Sequence, residues 1–275
     1  MNYLKMDGPY KFYCEETMWD NDSPITCYTD THTRDVNEDN KDKQVALLIE
    51  PRAIQRDVYL KMERNYNKFK YVFTHDSKLL NTLPNAKPII WGGCWCRDYN
   101  LNTIKDKFIG MICSHKKYTE LHRVRLRTAL MFKDCENFDM YGIYNDNERV
   151  DPMISHDRYK YEVVVENQID DIWFTEKIID AFATKCIPIY LGAKNIGDYF
   201  NTDSMIIVHN EDELQNTIKS MLNNVEYWND FYNDVNIQKA IEDNYERCKK
   251  YWSFEKLFYK TYEKELGEMF DDIHN

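Results

Sequence analysis

Glu166, Asn167, Thr175, Glu176 and Lys177 crowd one short stretch of the chain, VVVENQIDDIWFTEKIIDAFATKCIPIYLG (163–192). A carboxylate and an amide end an apolar run, a polar loop with two aspartates follows, and Thr-Glu-Lys opens an amphipathic stretch. Thr175 is a good helix N-cap, because its hydroxyl accepts from the free N–H groups of the first turn. A helix start carries partial positive charge and suits an anion. A lysine in that first turn works against the helix itself, so Lys177 makes sense if an anion sits beside it. Equally, Thr175 can simply cap, Glu176 can complement the dipole, and Lys177 can be solvated. The residue types leave both readings open.

These residues need a strand before them and a helix after them. VVV has the pattern of a strand end, and Ile178, Ile179 and Phe182 give the following helix a face to lay on a sheet. Ligands of open parallel sheets bind beyond the C-terminal ends of the strands, which is where Glu166 and Asn167 stand. The same alternation runs through the chain. Strands are expected at VALLIE (45–50), YVFTH (71–75), KPIIW (87–91), FIGMICS (108–114), FDMYG (138–142), YKYEVVVE (159–166), IPIYLG (187–192) and MIIVH (205–209). Helices are expected around 56–67, 119–132, 175–185 and 211–223, with a helical, aromatic-rich tail over about 230–270. Residues 20–44 are rich in Asp, Asn and Thr and are expected to form an exposed loop. Strands alternating with helices imply parallel sheets, here in two α/β units meeting near residue 105.

Composition excludes several classes. The 275 residues carry a formal charge of −11, which argues against a nucleic-acid binder. A local cation cluster, HKKYTELHRVRLR (115–127), still suits a small anion. Neither G-x-G-x-x-G nor G-x-x-x-x-G-K-[ST] occurs, which argues against a dinucleotide dehydrogenase or a P-loop NTPase. No apolar window approaches the ~20 residues of a membrane span, and the N-terminus lacks the apolar core of a secretion signal. With eight scattered cysteines, the expectation is a cytoplasmic protein with reduced thiols. Cys94-x-Cys96 has no second ligand pair at zinc-finger spacing, and His75, His115, His122 and His156 share no metal spacing, so no metal is expected. Asp20-Asn21-Asp22 matches the D-x-D of metal-dependent transferases, but no strand precedes it and a solvated loop is the simpler reading. Arg125 and Arg127 read as a solvated face, His122 and His156 as surface or core histidines, and the tail aromatics at 227–262 as packing.

The segment ENQIDDIWFTEKIIDAFATKCIPIYLG closely resembles the core motif of family 10 glycosyltransferases, the α1,3-fucosyltransferases. Glu166-Asn167, Thr175-Glu176-Lys177, Pro188 and Gly192 all fall in register with it. HRVRLRTAL (122–130) resembles the family's arginine-bearing helix, with Arg123 in the donor-binding position. YFNTDSMIIVHN (199–210) resembles a downstream segment in which Asn210 stands where an acidic residue is common. LLIEPRAI (47–54) resembles the family's E-x-P segment, which would make Glu50 the catalytic carboxylate, with Asp76 and Glu63 as the next carboxylates to consider. Trp173 replaces the usual tyrosine, and an indole can stack on a base or sugar but cannot accept a hydrogen bond.

The resemblance implies a GT-B-like α/β architecture: two Rossmann-like domains, an interdomain cleft and a helical C-terminal tail. It assigns residues 1–105 to an acceptor-side domain, 106–250 to a nucleotide-sugar-binding domain and 251–275 to a C-terminal helix packing back on the first domain. It also implies inverting, metal-independent transfer of fucose from GDP-fucose to a glycan hydroxyl. Arg123, Glu166, Asn167, Trp173, Thr175, Glu176 and Lys177 would bind the donor, and Glu50 would take the acceptor proton. The short N-terminal half fits a soluble microbial or viral relative. Two alternatives share the fold: a different nucleotide-sugar donor, and a carbohydrate-binding relative without turnover.

Overall fold

The computed structural model describes residues 2–8, 18–36, 38–142, 151 and 153–274. It divides into two compact units, Met1–Trp91 with Ser253–Asn275, and Gly92–Trp252.

In the first unit, β1 (Lys5–Asp7), β2 (Thr26–Thr29), β3 (Gln44–Leu48), β4 (Tyr71–Thr74) and β5 (Ala86–Pro88) lie side by side in chain order, all parallel. The central strand β3 is buried along its whole length, as a parallel strand covered on both faces must be. Its alternate residues serve two cores. Ala46 and Leu48 pack with Val58, Tyr59 and Met62 of α1 (Arg56–Asn65) and with Leu79 of α2 (Ser77–Thr82). Val45 and Leu47 pack on the opposite face with Phe254, Phe258, Tyr259 and Tyr262.

Residues 20–44, expected as an exposed loop, are partly a buried strand instead. β2 lies inside that span, with Cys27 fully buried. Asp30 is also fully buried and has a left-handed φ of 43°. Its carboxylate accepts from Ile49 N (2.8 Å) and Glu50 N (3.1 Å). Polar composition hid the strand, because this aspartate is satisfied by backbone rather than by water.

The second unit contains β6 (Lys107–Ile112), α3 (Glu120–Phe132), β7 (Phe138–Tyr141), α4 (Met153–His156), β8 (Tyr159–Val165), α5 (Glu176–Ala183), β9 (Ile187–Leu191), β10 (Ile206–Ile207), α6 (Glu211–Asn223), α7 (Val225–Asn233) and α8 (Val235–Cys248). Its parallel sheet has the order β10-β9-β8-β6-β7. The chain steps from β6 to one side for β7, then crosses back for β8. The order therefore reverses between β6 and β8, which is where doubly wound sheets bind ligands. On α5, Ile178, Ile179 and Phe182 are buried as the apolar spacing requires. The last two helices, α9 (Phe254–Thr261) and α10 (Glu263–His274), return to the first unit and carry the tail aromatics into its core.

The boundary lies at Trp91–Gly92 rather than near 105. Residues 92–99 are held by the second unit: Gly93 N donates to Tyr251 O (2.7 Å), Trp95 N and Cys96 N to Asp180 (2.7 and 3.1 Å), and Tyr99 Oη to Asp157 O (2.8 Å). KPIIW contributes only its first two residues to a strand, β5, which ends at Pro88. Among the described residues, no helix is long and apolar enough to cross a membrane.

Candidate functional site

Glu166 leaves the end of β8 with its backbone N–H still bonded to Leu191 O of β9 (2.9 Å). Its side chain is fully buried and accepts from Thr175 N (2.9 Å) and from the Thr175 hydroxyl (2.9 Å). Gly192 makes room for it. A Cβ at 192 would lie 2.4 Å from Tyr190 Oη and 2.7 Å from Glu166 Cγ, so a side chain here would displace the carboxylate. Thr175 then caps α5, accepting from Lys177 N (3.4 Å).

The Lys177 ammonium does not extend into solvent. It lies 2.9 Å from Thr175 Oγ1, 3.1 Å from Glu176 Oε1 and 3.6 Å from Glu166 Oε2, and the side chain as a whole is only 26% exposed. The solvated-lysine reading is thereby excluded. Burial works against the ammonium, but Glu176 and Glu166 outweigh it and raise the pKa. Burial pushes Glu166 up, only partly opposed by Lys177. Glu176 is also penalised by burial, yet Lys177 brings it below its ordinary value. The cluster thus keeps a firmly charged lysine against one ionised carboxylate and one that holds its proton more tightly.

Arg125 completes the site, in a place that the sequence reading did not give it. It sits on α3, the helix after β6, with its guanidinium buried, and donates to Val165 O and to Asn167 Oδ1 (3.1 Å). It therefore ties α3 to the end of β8 across the reversal of strand order. The expectation that Arg125 is a solvated face is corrected by the helical period. His122, Arg125, Ala129 and Phe132 recur at three- and four-residue steps on the buried side. Arg123 falls on the outer side, half exposed, 3.4 Å from Glu120. Arg127 is exposed and paired with Glu211 and Glu120. His122 is buried and closes a capping box with Thr119, and burial depresses its pKa to about 4.

Trp173 is 3% exposed, so its ring offers no open face for stacking on a base. Asn210 caps α6, accepting from Glu213 N (2.9 Å), a task an asparagine performs as well as an acid. Asp20-Asn21-Asp22 closes on itself, Asp22 N donating to Asp20 Oδ1 (2.9 Å). Sequence reasoning also missed Gly92-Gly93 as a part of the site. Gly92 (φ 44°) bridges to Thr175, and Gly93 (φ 112°) would bring a Cβ to 3.8 Å from Glu176 Cβ. The pair had signalled only a turn after KPIIW.

In the first unit, Glu50 follows β3 by two residues and is half-buried. Its backbone is fixed by Asp30 at N–H and by Tyr59 Oη at C=O (2.7 Å). The two rival carboxylates are committed elsewhere. Asp76 accepts from Arg52 Nε (2.7 Å) and Leu79 N (2.8 Å), and Glu63 accepts from Arg52 (2.7 Å) and Lys78 (2.8 Å). Burial raises the Asp76 pKa, but Arg52 outweighs it and leaves it low; Lys78, with Arg52, lowers that of Glu63. Both are weaker bases than an ordinary carboxylate.

A family model described as glycosyltransferase family 10 (fucosyltransferase) C-term matches residues 102–249. The α-(1,3)-fucosyltransferase FucT of Helicobacter pylori is 37% identical over 82 residues, which are 29% of this chain and 16% of that protein. A solved α1,3-fucosyltransferase structure is similar at TM-score 0.51 and 18% identity, over 77% of this chain and 68% of that one. The structure of TarM is similar at TM-score 0.54 and 13% identity, over 86% of this chain and 53% of that one. Sucrose-phosphate synthase of Thermosynechococcus elongatus gives TM-score 0.54 at 9% identity, over 91% and 74%. At these identities the structural likenesses concern the fold, a GT-B-type pair of parallel α/β units.

Proposed function

The chain belongs to glycosyltransferase family 10, and from that membership we propose that it transfers fucose from GDP-fucose to a hydroxyl of a glycan acceptor, with inversion at the sugar carbon and an α1,3 preference. The observation that carries this reading is the Glu166–Thr175–Lys177–Glu176 cluster at the start of α5, beside a buried Arg125 at the switch point. It lies within the segment that the family model matches.

Breaking the bond between fucose and phosphate leaves negative charge on a diphosphate. Lys177 and the N–H groups at the start of α5 are the donors that stabilise it, and Arg123, exposed on the first turns of α3, adds a second cation. Arg125 does not reach for the ligand; it holds β8 and Asn167 in place. Glu176, ionised beside Lys177, accepts from ribose hydroxyls. Trp173 supports the loop from inside. Glu50 accepts the proton of the attacking hydroxyl; Asp76 and Glu63, whose basicity Arg52 and Lys78 lower, are the weaker candidates. Cations and the helix start carry the leaving-group charge, and transfer proceeds without a divalent metal at the diphosphate.

The test is transfer of labelled fucose from GDP-fucose to a panel of terminal galactosides and N-acetylglucosaminides, with EDTA present and absent. Labelled product in both conditions is expected. Donor binding without product on any acceptor would favour the carbohydrate-binding alternative. Product only after Mn²⁺ is restored would refute the metal-free leaving-group chemistry.

A further inference from the structure

Beneath the start of α5 lies a second cluster that the transfer chemistry does not use. Cys96, His156 and Asp180 are 1%, 4% and 2% exposed. One ligand atom from each lies within 4.8 Å of the others. They come from three separate places: the 92–99 segment, the end of α4, and α5. Chain separation is why no spacing rule found them.

We propose that Cys96, His156 and Asp180 bind a structural zinc ion, with Cys94 as fourth donor. Thiolate, imidazole and carboxylate are the donor types of protein zinc sites. Corners 4.8 Å apart lie about 2.8 Å from their centre, so zinc bond lengths of ~2.0–2.3 Å ask each ligand to close by ~0.5–0.8 Å. Cys94 is buried two residues before Cys96, and its thiol interacts electrostatically with the Asp180 carboxylate, so it stands near the group.

An independent observation points to the same ligand. His156 Nδ1 is buried and has no hydrogen-bond partner among the described residues. A buried polar atom without a partner is costly, and coordination or an outer hydrogen bond removes that cost. Glu162 Oε2 stands 4.0 Å from this nitrogen. A ligating imidazole ordinarily gives its other N–H to a carboxylate, and Glu162 is the carboxylate beside this ring. Asp180 is oriented in turn by the N–H groups of Trp95 and Cys96 (2.7 and 3.1 Å). Burial holds His156 in the neutral form a ligand needs, and raises Asp180 to about 7 and the Cys96 thiol far above its ordinary range. A divalent cation would displace those two protons and stabilise both anions. Asp180 is one turn beyond Glu176 on α5, so the ion would pin the helix that carries Glu176 and Lys177 to the 92–99 segment. The inference holds whichever donor the enzyme takes.

The experiment is elemental analysis of full-length protein purified without chelator or metal-affinity step. This is followed by removal of metal with a strong chelator and titration with Zn²⁺ and Co²⁺. One zinc per chain is expected, with a lower Tm after removal and its recovery on titration. Co²⁺ should give a thiolate-to-cobalt charge-transfer band. Cys96→Ser and His156→Gln should weaken zinc by more than the ~10–100-fold typical of losing an outer partner, while exposed Cys135→Ser leaves it unchanged. Wild-type protein that carries no zinc and gains no thermal stability from it overturns the proposal, whether or not the variants fold. Unchanged zinc affinity in folded Cys96→Ser overturns it as well.

Discussion

Replacing Lys177 by methionine keeps most of the side-chain volume and removes the ammonium. An ammonium has three donors, and two are engaged in the structure, by Thr175 Oγ1 at 2.9 Å and Glu176 Oε1 at 3.1 Å. A diphosphate must share it with these partners. A charge-assisted hydrogen bond contributes ~1.5–3 kcal/mol, and sharing places the loss toward the lower end. The GDP dissociation constant should therefore rise by ~10-fold, and by no more than ~150-fold. Folding stability should fall too, because Glu166 and Glu176 lose the cation that pairs them, leaving only the more distant Arg125. With Lys177 26% exposed, that loss stays below the ~3–5 kcal/mol of a fully buried pair. The assay is calorimetric titration with GDP and, separately, with guanosine, for wild type, Lys177→Met and Lys177→Arg. Guanosine has no phosphate, so its affinity should not change. Arginine should restore much of the GDP affinity. Equal losses for GDP and guanosine would mean that the site had collapsed, and unchanged GDP affinity in folded Lys177→Met would refute the phosphate contact.

The two arginines of α3 should separate cleanly. Arg125→Met strands Val165 O and Asn167 and should cost ~1–3 kcal/mol in urea unfolding, whereas Arg123→Ala should leave stability within ~0.5 kcal/mol and weaken GDP; the reverse pattern would contradict the assignment. Glu50→Gln should cut kcat by ~10²-fold or more with GDP affinity near wild type, and normal turnover would send the search for the base elsewhere. Burial holds His75 near pKa 3 and His122 near 4, below the unfolded value of 6.5. In the folded state these rings bind fewer protons, so their stability contribution is complete above pH 6.5 and is lost as pH falls toward 4. The slope is on the order of 1.4 kcal/mol per pH unit for each histidine, read from urea midpoints, and a flat profile between pH 7.5 and 5 would be inconsistent with buried neutral rings.

What the chain discloses in one dimension differs by kind of interaction. VALLIE, YVFTH, YKYEVVVE and IPIYLG became β3, β4, β8 and β9 because buried parallel strands are continuous apolar runs that need no context. Thr175 as a cap is equally local. β2 stayed hidden because four residues, TCYT, carry too little apolar signal, and because Asp30 looks like a loop residue until the backbone that it bonds is in place. Arg123 and Arg125 differ by two positions in one helix, and only the packing direction of α3 decides which of them is inside. Trp173 reads as an aromatic platform until its burial is known. Gly192 matched a motif, but its reason, the 2.7 Å approach to Glu166 Cγ, is a tertiary fact. The Cys96, His156 and Asp180 cluster lies at the far end of the same scale, assembled from segments up to 84 residues apart.

The central claim is that the second unit is built for a guanine nucleoside diphosphate. Parallel titrations of the protein with GDP, UDP and CDP, read by calorimetry and by thermal unfolding, test it most directly. The account predicts that GDP binds and, at 100 times its Kd, adds about 2.7 kcal/mol of stability, with UDP and CDP far weaker. Stabilisation by UDP or CDP with none from GDP would contradict it.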